Sequence, residues 1–272
     1  MSLHGKTLFI TGASRGIGRE IALRAARDGA NIVIAAKSAE AHAKLPGTIH
    51  SVAAEVEASG GQALAVQLDV RDEEAVKAAM AQAAEHFGGI DALINNAGAI
   101  KLMGVEHLPP KRFDLMFQIN TRAVMVCSQA ALPYLKKSQG HILSLSPPLN
   151  LDPKWFANYG PYTTTKYGMS MLTLGMHEEF KKYGISVNSL WPKTVIATAA
   201  IEFEAGGMAV MKAARLPAIM ADAAYAILSS RARSISGRLL IDEALLREKG
   251  QSDFEHYRYD PDGKLMTDLF VD

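Results

Sequence analysis

Thr7-Leu8-Phe9-Ile10-Thr11-Gly12-Ala13-Ser14-Arg15-Gly16-Ile17-Gly18 opens the patterned part of the chain. An apolar run of strand length leads straight into a glycine loop, and helical patterning over Gly16–Asp28 begins inside that loop. Glycines so placed between a strand and a helix suit a diphosphate. Gly12 permits the tight turn, Gly16 lets backbone N–H groups approach the anion, and Gly18 lets helix and strand pack closely, with the helix N-terminus aimed at the negative charge. Ser14, Arg15 and Ile17 complete the loop as candidate cofactor contacts.

The alternation continues outward from there. Apolar or β-rich runs recur at Thr7–Ile10, Ile32–Ala35, Ala63–Leu68, Ala92–Ile94, His141–Leu145, Ile185–Leu190 and Arg238–Ile241. Helical patterning fills most gaps, at Ser51–Ser59, Glu73–Phe87, Lys111–Leu132 with Pro133 near its end, and Tyr162–Lys182. Strand and helix in turn require right-handed crossovers and a parallel sheet covered on both faces. The expected fold is α/β, a single-domain doubly wound parallel sheet of Rossmann type with helices on both faces. It is expected to span residues 1–250, with a turn-rich tail over 251–272 packed on or extending from the same domain. Asp72 precedes a Glu-Glu first turn as an N-cap, and Gly88 and Gly184 stand where helices should close. Ligands of such sheets bind beyond the carboxyl ends of the strands. The irregular stretches Ser38–His50, Pro147–Gly160 and Glu202–Pro217 all follow strands and are expected to form the rim of the site.

Composition narrows the function classes. The 272 residues are 49% hydrophobic and 21% charged, the profile of a globular chain with a large core. Lys and Arg number 29 against 28 Asp and Glu, a net charge of +1, which supplies no broad basic footprint for nucleic acid. Cys127 is the one cysteine, in an apolar helical stretch that suits a small buried thiol, and no histidines share a metal-ligand spacing, so no metal is expected. GxxxxGK is absent, which sets P-loop chemistry aside. With no membrane-spanning run, signal peptide or peroxisomal C-terminal signal in view, a cytoplasmic location is expected.

Further motifs follow in order: Asn95-Asn96-Ala97-Gly98 after the fourth strand, Asn120 in the next helix, and Tyr162-Thr163-Thr164-Thr165-Lys166 in the long helix after the fifth. Together with TGxxxGxG they resemble the short-chain dehydrogenase/reductase family over about residues 5–245. The resemblance implies that Tyr162 exchanges a proton with an alcohol or carbonyl oxygen. Lys166 then lowers the phenol pKa and bonds the nicotinamide ribose, and Asn120 holds a water linking Lys166 to solvent. It also implies Asn96 at the nicotinamide pocket, Thr194 and Thr198 near the nicotinamide amide and pyrophosphate, and Asp69 on the adenine amino group. A homo-oligomer paired through the helices near Lys111–Leu132 and Tyr162–Lys182 is implied as well. Alternative readings put Asn120 on an exposed helix face and make Asp69 the mere start of a turn.

Two physical arguments stand beside the resemblance. Tyr162 and Lys166 are one helical turn apart, about 6 Å along the axis, where an ammonium favours a neighbouring phenolate. An NAD enzyme of this architecture presents a carboxylate at the end of the second strand, whereas this chain has Ala35-Ala36-Lys37 there and adds Arg15 from the loop. Two cations without a carboxylate favour the 2′-phosphate of NADP; the alternative is that both are solvated surface charges.

The run Leu143-Ser144-Leu145-Ser146-Pro147-Pro148 departs from the family. Alignment from the strand puts Pro147, which has no donor, where a serine usually bonds the substrate oxygen. Ser146 stands one residue early, so strict strand alternation turns it to the other face. The paired prolines break that alternation, and Ser146 is the favoured replacement donor, with Asn150 and Asn158 behind it. Pro192-Lys193 likewise replaces the family's Pro-Gly. The leading expectation is an NADP(H)-dependent oxidoreductase interconverting a secondary alcohol and a ketone. Its substrate would be lipid-like, steroid or fatty-acyl, surrounded by Met103, Trp155, Phe156, Trp191 and Met208. The alternative is a dinucleotide-binding protein whose catalysis is weak or lost at Pro147.

Overall fold

Seven strands, β1 (Thr7–Thr11), β2 (Asn31–Ala36), β3 (Gln62–Gln67), β4 (Ala92–Asn95), β5 (His141–Ser144), β6 (Ser186–Trp191) and β7 (Leu239–Ile241), form one parallel sheet in the order β3-β2-β1-β4-β5-β6-β7. The computed structural model describes every residue except 1, 41–44, 205 and 232. Parts of two expected rim stretches, 41–44 and 205, therefore lie outside the described residues. The chain begins at the centre of the sheet, winds out to β3, and returns past β1 to wind out the other way. Leu8 lies opposite Ile32 on one side and Ala92 on the other. That reversal between β1 and β4 opens a crevice beyond their carboxyl ends, the ligand position of doubly wound sheets.

The inner strands read as continuous apolar runs because both faces are covered. Every residue of β1, β4, β5 and β6 is buried, while β3 at the edge is largely half-exposed. Alternate side chains feed two cores. Leu8, Ile10, Ile32 and Ile34 pack with helices Gly16–Ala26, Ile49–Ala58 and Ala218–Leu228. Phe9, Val33, Leu93, Ile142 and Val187 pack with Glu73–Phe87, Ala123–Ser138 and Gly160–Phe180. Cys127 lies in this second core, where burial pushes its thiol up to about 12.

Local signals explain several helix ends. Asp72 accepts from the Ala75 N–H at 3.0 Å, with Glu73 and Glu74 in the first turn where the dipole favours them. Gly88 closes the same helix in the left-handed region.

Three features differ from the sequence expectation. The helix expected at Lys111–Leu132 is Pro110–Phe117, a single π turn Gln118–Arg122, then Ala123–Ser138, which runs through Pro133. The stretch Glu202–Pro217, expected to be irregular, contains Gly207–Lys212 and receives the end of Ala199–Glu204. Helices Ala218–Leu228 and Asp242–Glu248 were not anticipated at all. In the first of them apolar side chains fall on almost every side, so no amphipathic stripe marks it. No helix among the described residues is long and apolar enough to cross a membrane.

His141, at the start of β5, is buried with its Nδ1 unpartnered among the described residues, and burial lowers its pKa from the ordinary 6.5 to about 4. Between these values the unfolded chain takes up a proton that the folded chain refuses, so stability should fall as pH drops through this window by about 3 kcal/mol. Urea unfolding at pH 7.0 and 4.5 should show that fall in the parent and a much flatter response in His141→Gln; identical slopes would refute the assignment.

Candidate active site

The end of β1 is tied to the end of β4 by two side chains. Thr11 Oγ1 donates to the Ile94 carbonyl at 3.2 Å and accepts from the N–H groups of Asn96 and Ala97 at 3.1 and 3.0 Å. The Asn96 amide donates to the carbonyls of Thr11 and Gly12 at 2.8 and 3.0 Å. Asn96 thus braces the loop from below. Gly18 must lack a side chain because a Cβ there would lie 2.4 Å from Asn96 Nδ2, and Gly12 and Gly16 have φ of +66° and +57°. Helix Gly16–Ala26 has no side-chain cap at Arg15 and no acidic residue in its first turn, leaving its N-terminal amides for an anion. Thr198 hangs over this cradle: a Cβ on Gly16 would meet its Cγ2 at 3.4 Å. Ser14 is buried in the loop, and Ile17 packs on the core beneath it. The cradle fits the diphosphate of a dinucleotide.

Arg15 folds onto the segment after β2, donating to the Pro46 carbonyl, Ser38 Oγ and the Gly47 carbonyl at 3.0–3.1 Å. Lys37 is exposed, with Nζ 3.3 Å from Asp69 Oδ2. Asp69 also carries the Arg71 guanidinium, and that bond, opposed by burial, holds its carboxyl well below the usual range. The same residue starts a turn, its carbonyl accepting from the Asp72 N–H. Two cations, Lys37 and Arg71, thus share the Asp69 carboxylate, while Arg15 is held by the segment after β2.

Tyr162 and Lys166 lie on one buried face of helix Gly160–Phe180. Lys166 Nζ donates to the Leu145 carbonyl at 2.7 Å and lies 5.0 Å from the Trp191 ring. Burial lowers the Lys166 pKa to about 7, with Asp268 opposing. Burial, reinforced by Asp268, raises that of Tyr162 well above its ordinary value. The expected lowering of the phenol by Lys166 is thus not the state of this structure, because both groups are enclosed and the lysine is turned to a backbone carbonyl.

Asn120 is fully buried, which rules out the exposed-face alternative. It sits in the π turn, accepts from the Ala99 N–H at 2.8 Å, and donates to the Ala99 carbonyl and Thr165 Oγ1, both at 2.9 Å. Thr165 in turn donates to the Tyr162 carbonyl at 2.8 Å. Asn120 is therefore joined to the tyrosine's own turn of helix.

The chain leaves the ladder just before the paired prolines. The Ser146 N–H bonds back to the Ser144 carbonyl at 3.0 Å, and the fully buried Ser146 Oγ has no partner among the described residues. Asn150 is committed: its N–H and carbonyl both meet the Tyr167 hydroxyl, and its amide donates to Asp272 at 2.9 Å. Asn158 is exposed. Thr194 Oγ1 is also buried without a partner among the described residues.

A profile described as short chain dehydrogenase matches residues 6–205. The chain belongs to the short-chain dehydrogenase family. Members of this oxidoreductase family bind a nicotinamide dinucleotide. The chain is 57% identical over 271 residues to hydroxysteroid dehydrogenase-like protein 2 of Xenopus tropicalis, covering 99% of this chain and 64% of that protein. It is 53% identical to the Homo sapiens protein of that name at the same coverage, so it spans just under two thirds of these curated relatives. A putative dehydrogenase from Xanthomonas campestris is 54% identical with a TM-score of 0.96, each chain covered in full. A Burkholderia cenocepacia short chain dehydrogenase in complex with NADP is 32% identical with a TM-score of 0.75, covering 89% of this chain and 97% of that one. One from Mycobacterium paratuberculosis bound to NAD shares the fold at 22% identity, with the same TM-score and coverage.

Where most short-chain dehydrogenases have Pro-Gly, Lys193 here serves a buried carboxylate. Glu243 receives Lys193, Arg215 and Arg247 at 2.9, 2.6 and 2.9 Å. Burial pushes the Glu243 carboxyl up, but these three cations outweigh it and hold the carboxyl at about 2. The hub fixes the segment after β6 to helix Asp242–Glu248. No sequence motif announced it, because its members come from three separate segments.

The last residues were the larger omission. Phe270 is buried in an aromatic cluster whose ring centroids lie 5.8 Å away at Trp155, 6.3 Å at Tyr162, 5.2 Å at Tyr167 and 5.8 Å at Trp191. Of the residues named for a substrate surround, Trp191 is buried in this cluster and Trp155 and Met103 join it half-buried, whereas Phe156 and Met208 are exposed. Aromatic residues at both ends of the chain's second half were visible in sequence; their convergence was not.

Proposed function

We propose that this chain is a cytoplasmic NADP(H)-dependent oxidoreductase interconverting a secondary alcohol and a ketone on an apolar, steroid- or fatty-acyl-like substrate. The observation that carries the reading is Tyr162 and Lys166 on one buried helix face beside the end of β5, next to a glycine cradle suited to a diphosphate. When bound, the dinucleotide supplies or accepts the hydride. Gly12, Gly16 and the first-turn amides hold the diphosphate with Ser14 and Ile17, Gly18 and Asn96 keep the cradle's shape, and Thr194 offers a free hydroxyl towards the nicotinamide end. Arg15 and Lys37 receive the 2′-phosphate, and Asp69 faces the adenine. Tyr162 moves the proton to or from the substrate oxygen. Lys166, turned from the Leu145 carbonyl to the nicotinamide ribose, carries the charge that favours the phenolate, and Asn120 steadies this helix turn and its water. Ser146 donates to the substrate oxygen: its buried orphan hydroxyl lies where the chain has left strand alternation. The apolar cluster around Tyr162 and the names of the curated relatives both support a lipid-like substrate.

A second reading, a dinucleotide-binding protein with little catalysis, is favoured by Pro147 at the usual serine position. Protein that binds NADPH but reduces none of a broad ketone panel would select it.

NADPH should bind at least tenfold more tightly than NADH, about 1.4 kcal/mol, in fluorescence titrations, and Arg15→Ala with Lys37→Ala should remove most of the difference. Equal affinities in the parent would refute the 2′-phosphate assignment.

Steady-state turnover should vanish in Tyr162→Phe with NADPH affinity within a fewfold of the parent, and should fall ~10²-fold or more in Ser146→Ala, the cost of one oxygen-polarising donor. Full activity in the first variant would overturn the mechanism; full activity in the second would return the role to another donor.

A homo-oligomer is proposed on a further observation. Met125, Met171 and Leu174 are exposed apolar side chains on Ala123–Ser138 and Gly160–Phe180, the helices that family members commonly pair about a two-fold axis. Sedimentation at micromolar concentration should give a multiple of the monomer mass, reduced by Met171→Glu; a monomeric parent would refute it.

A further inference from the structure

The segment from Met266 to Asp272 crosses the mouth of the candidate site as a strap tied to both rims. On one side the Val195 N–H donates to the Met266 carbonyl and the Asp268 N–H to the Lys193 carbonyl, each at 3.0 Å, and Thr267 bridges Thr194. Trp191 Nε1 donates to the Leu269 carbonyl at 2.9 Å. On the other side Asp272 takes the Asn150 amide at 2.9 Å and the Lys154 ammonium at 2.5 Å. Between these ties stands Phe270, 1% exposed, its ring within 27° of parallel to that of Tyr162.

Two observations distinguish this ring from ordinary core. Phe270 has a φ of +71°, in the left-handed region where a bulky residue is strained. Tyr162, whose hydroxyl has no hydrogen-bond partner among the described residues, is only 6% exposed with the ring in place. A substrate whose oxygen approaches this phenol needs room for its apolar body in the adjoining space, which Phe270 fills. The far tie, moreover, is between exposed side chains, the weakest kind of ion pair.

We propose that Phe270 is a specificity-determining gate: its ring occupies the space that the apolar body of the substrate takes beside Tyr162, and substrate binds as the strap swings the ring out. The place assigned to the substrate rests on the oxidoreductase reading above. A flat or alicyclic apolar body replaces the phenyl ring among Trp155, Tyr167 and Trp191. Small ketones that cannot fill that space gain little by displacing the ring. The enclosed state of Tyr162 and Lys166 then belongs to the closed strap.

The test is calorimetric binding of trans-1-decalone, a bicyclic ketone, with saturating NADP+ and also without nucleotide. With only oxidised nucleotide no hydride is available, so binding is read independently of turnover. Phe270→Ala empties the space and should bind decalone at least ~10-fold more tightly than the parent, the gain expected if the closed form outweighs the open one tenfold. Asp272→Ala leaves the ring but unfastens the far tie, keeps the proposal testable if the first variant does not fold, and should tighten binding about threefold by the same population argument. Acrylamide quenching of the chain's two tryptophans, both packed on Phe270, should rise in either variant. Weaker decalone binding would make Phe270 a wall that the substrate needs, and unchanged binding would make it inert core; either overturns the gate. Tightened binding in a protein that turns over no ketone would reject the oxidoreductase reading and leave the gate standing.

Discussion

The amide of Asn96, held under the carbonyls of Thr11 and Gly12, is the contact on which the site depends. It spans the place where the sheet reverses direction, and it joins the loop after β1 to the loop after β4. Without that tie the glycine loop has no floor, because the residues that form it are chosen for conformational freedom and closeness rather than for contacts of their own. The absent side chain at Gly18 and the present one at Asn96 are a single arrangement: each requires the other's shape. Thr11 completes it by saturating its hydroxyl with one carbonyl and two N–H groups.

The sheet was legible because parallel strands covered on both faces are written as uninterrupted apolar runs, and each predicted run falls within a residue or two of an observed strand. Helices with a polar face were equally plain. Ala218–Leu228 was not, since it is buried almost all round and lacks the periodic contrast on which sequence reading relies. Within the site the same distinction holds. Residues close in sequence, such as Tyr162 and Lys166, declare their shared face through helical spacing. Asn120 needed the structure, because the π turn that carries it inward follows from packing against Thr165 and the Ala99 backbone. Phe270 gave no sign, since the turn-rich residues before it read locally as a tail and its partners are far away in the chain.

The departures from the family pattern are connected through the segment after β6. Lys193 has no glycine's freedom, yet its side chain joins Arg215 and Arg247 on Glu243, and its carbonyl holds the strap through Asp268. Trp191, just before it, both flanks Lys166 and donates to the strap. One short stretch therefore sets the lysine's surroundings, anchors a buried carboxylate and carries one edge of the gate. A buried carboxylate with three cations is costly to disturb, because removing it strands charge in the interior.

The strap also has a consequence for how the molecule is made. The cradle's floor joins residues up to Asn96, whereas the tie from Trp191 to Leu269 closes a separation of 78 residues at the far end of the chain. During N-to-C synthesis the partners of the cradle are present long before those of the gate. The two halves of the site thus become complete at different times, and the contacts around Phe270 can form only after those of the cradle. A chain synthesised only through Asn96 already holds both sides of the cradle's floor, while the residues that cover Tyr162 are still to be made.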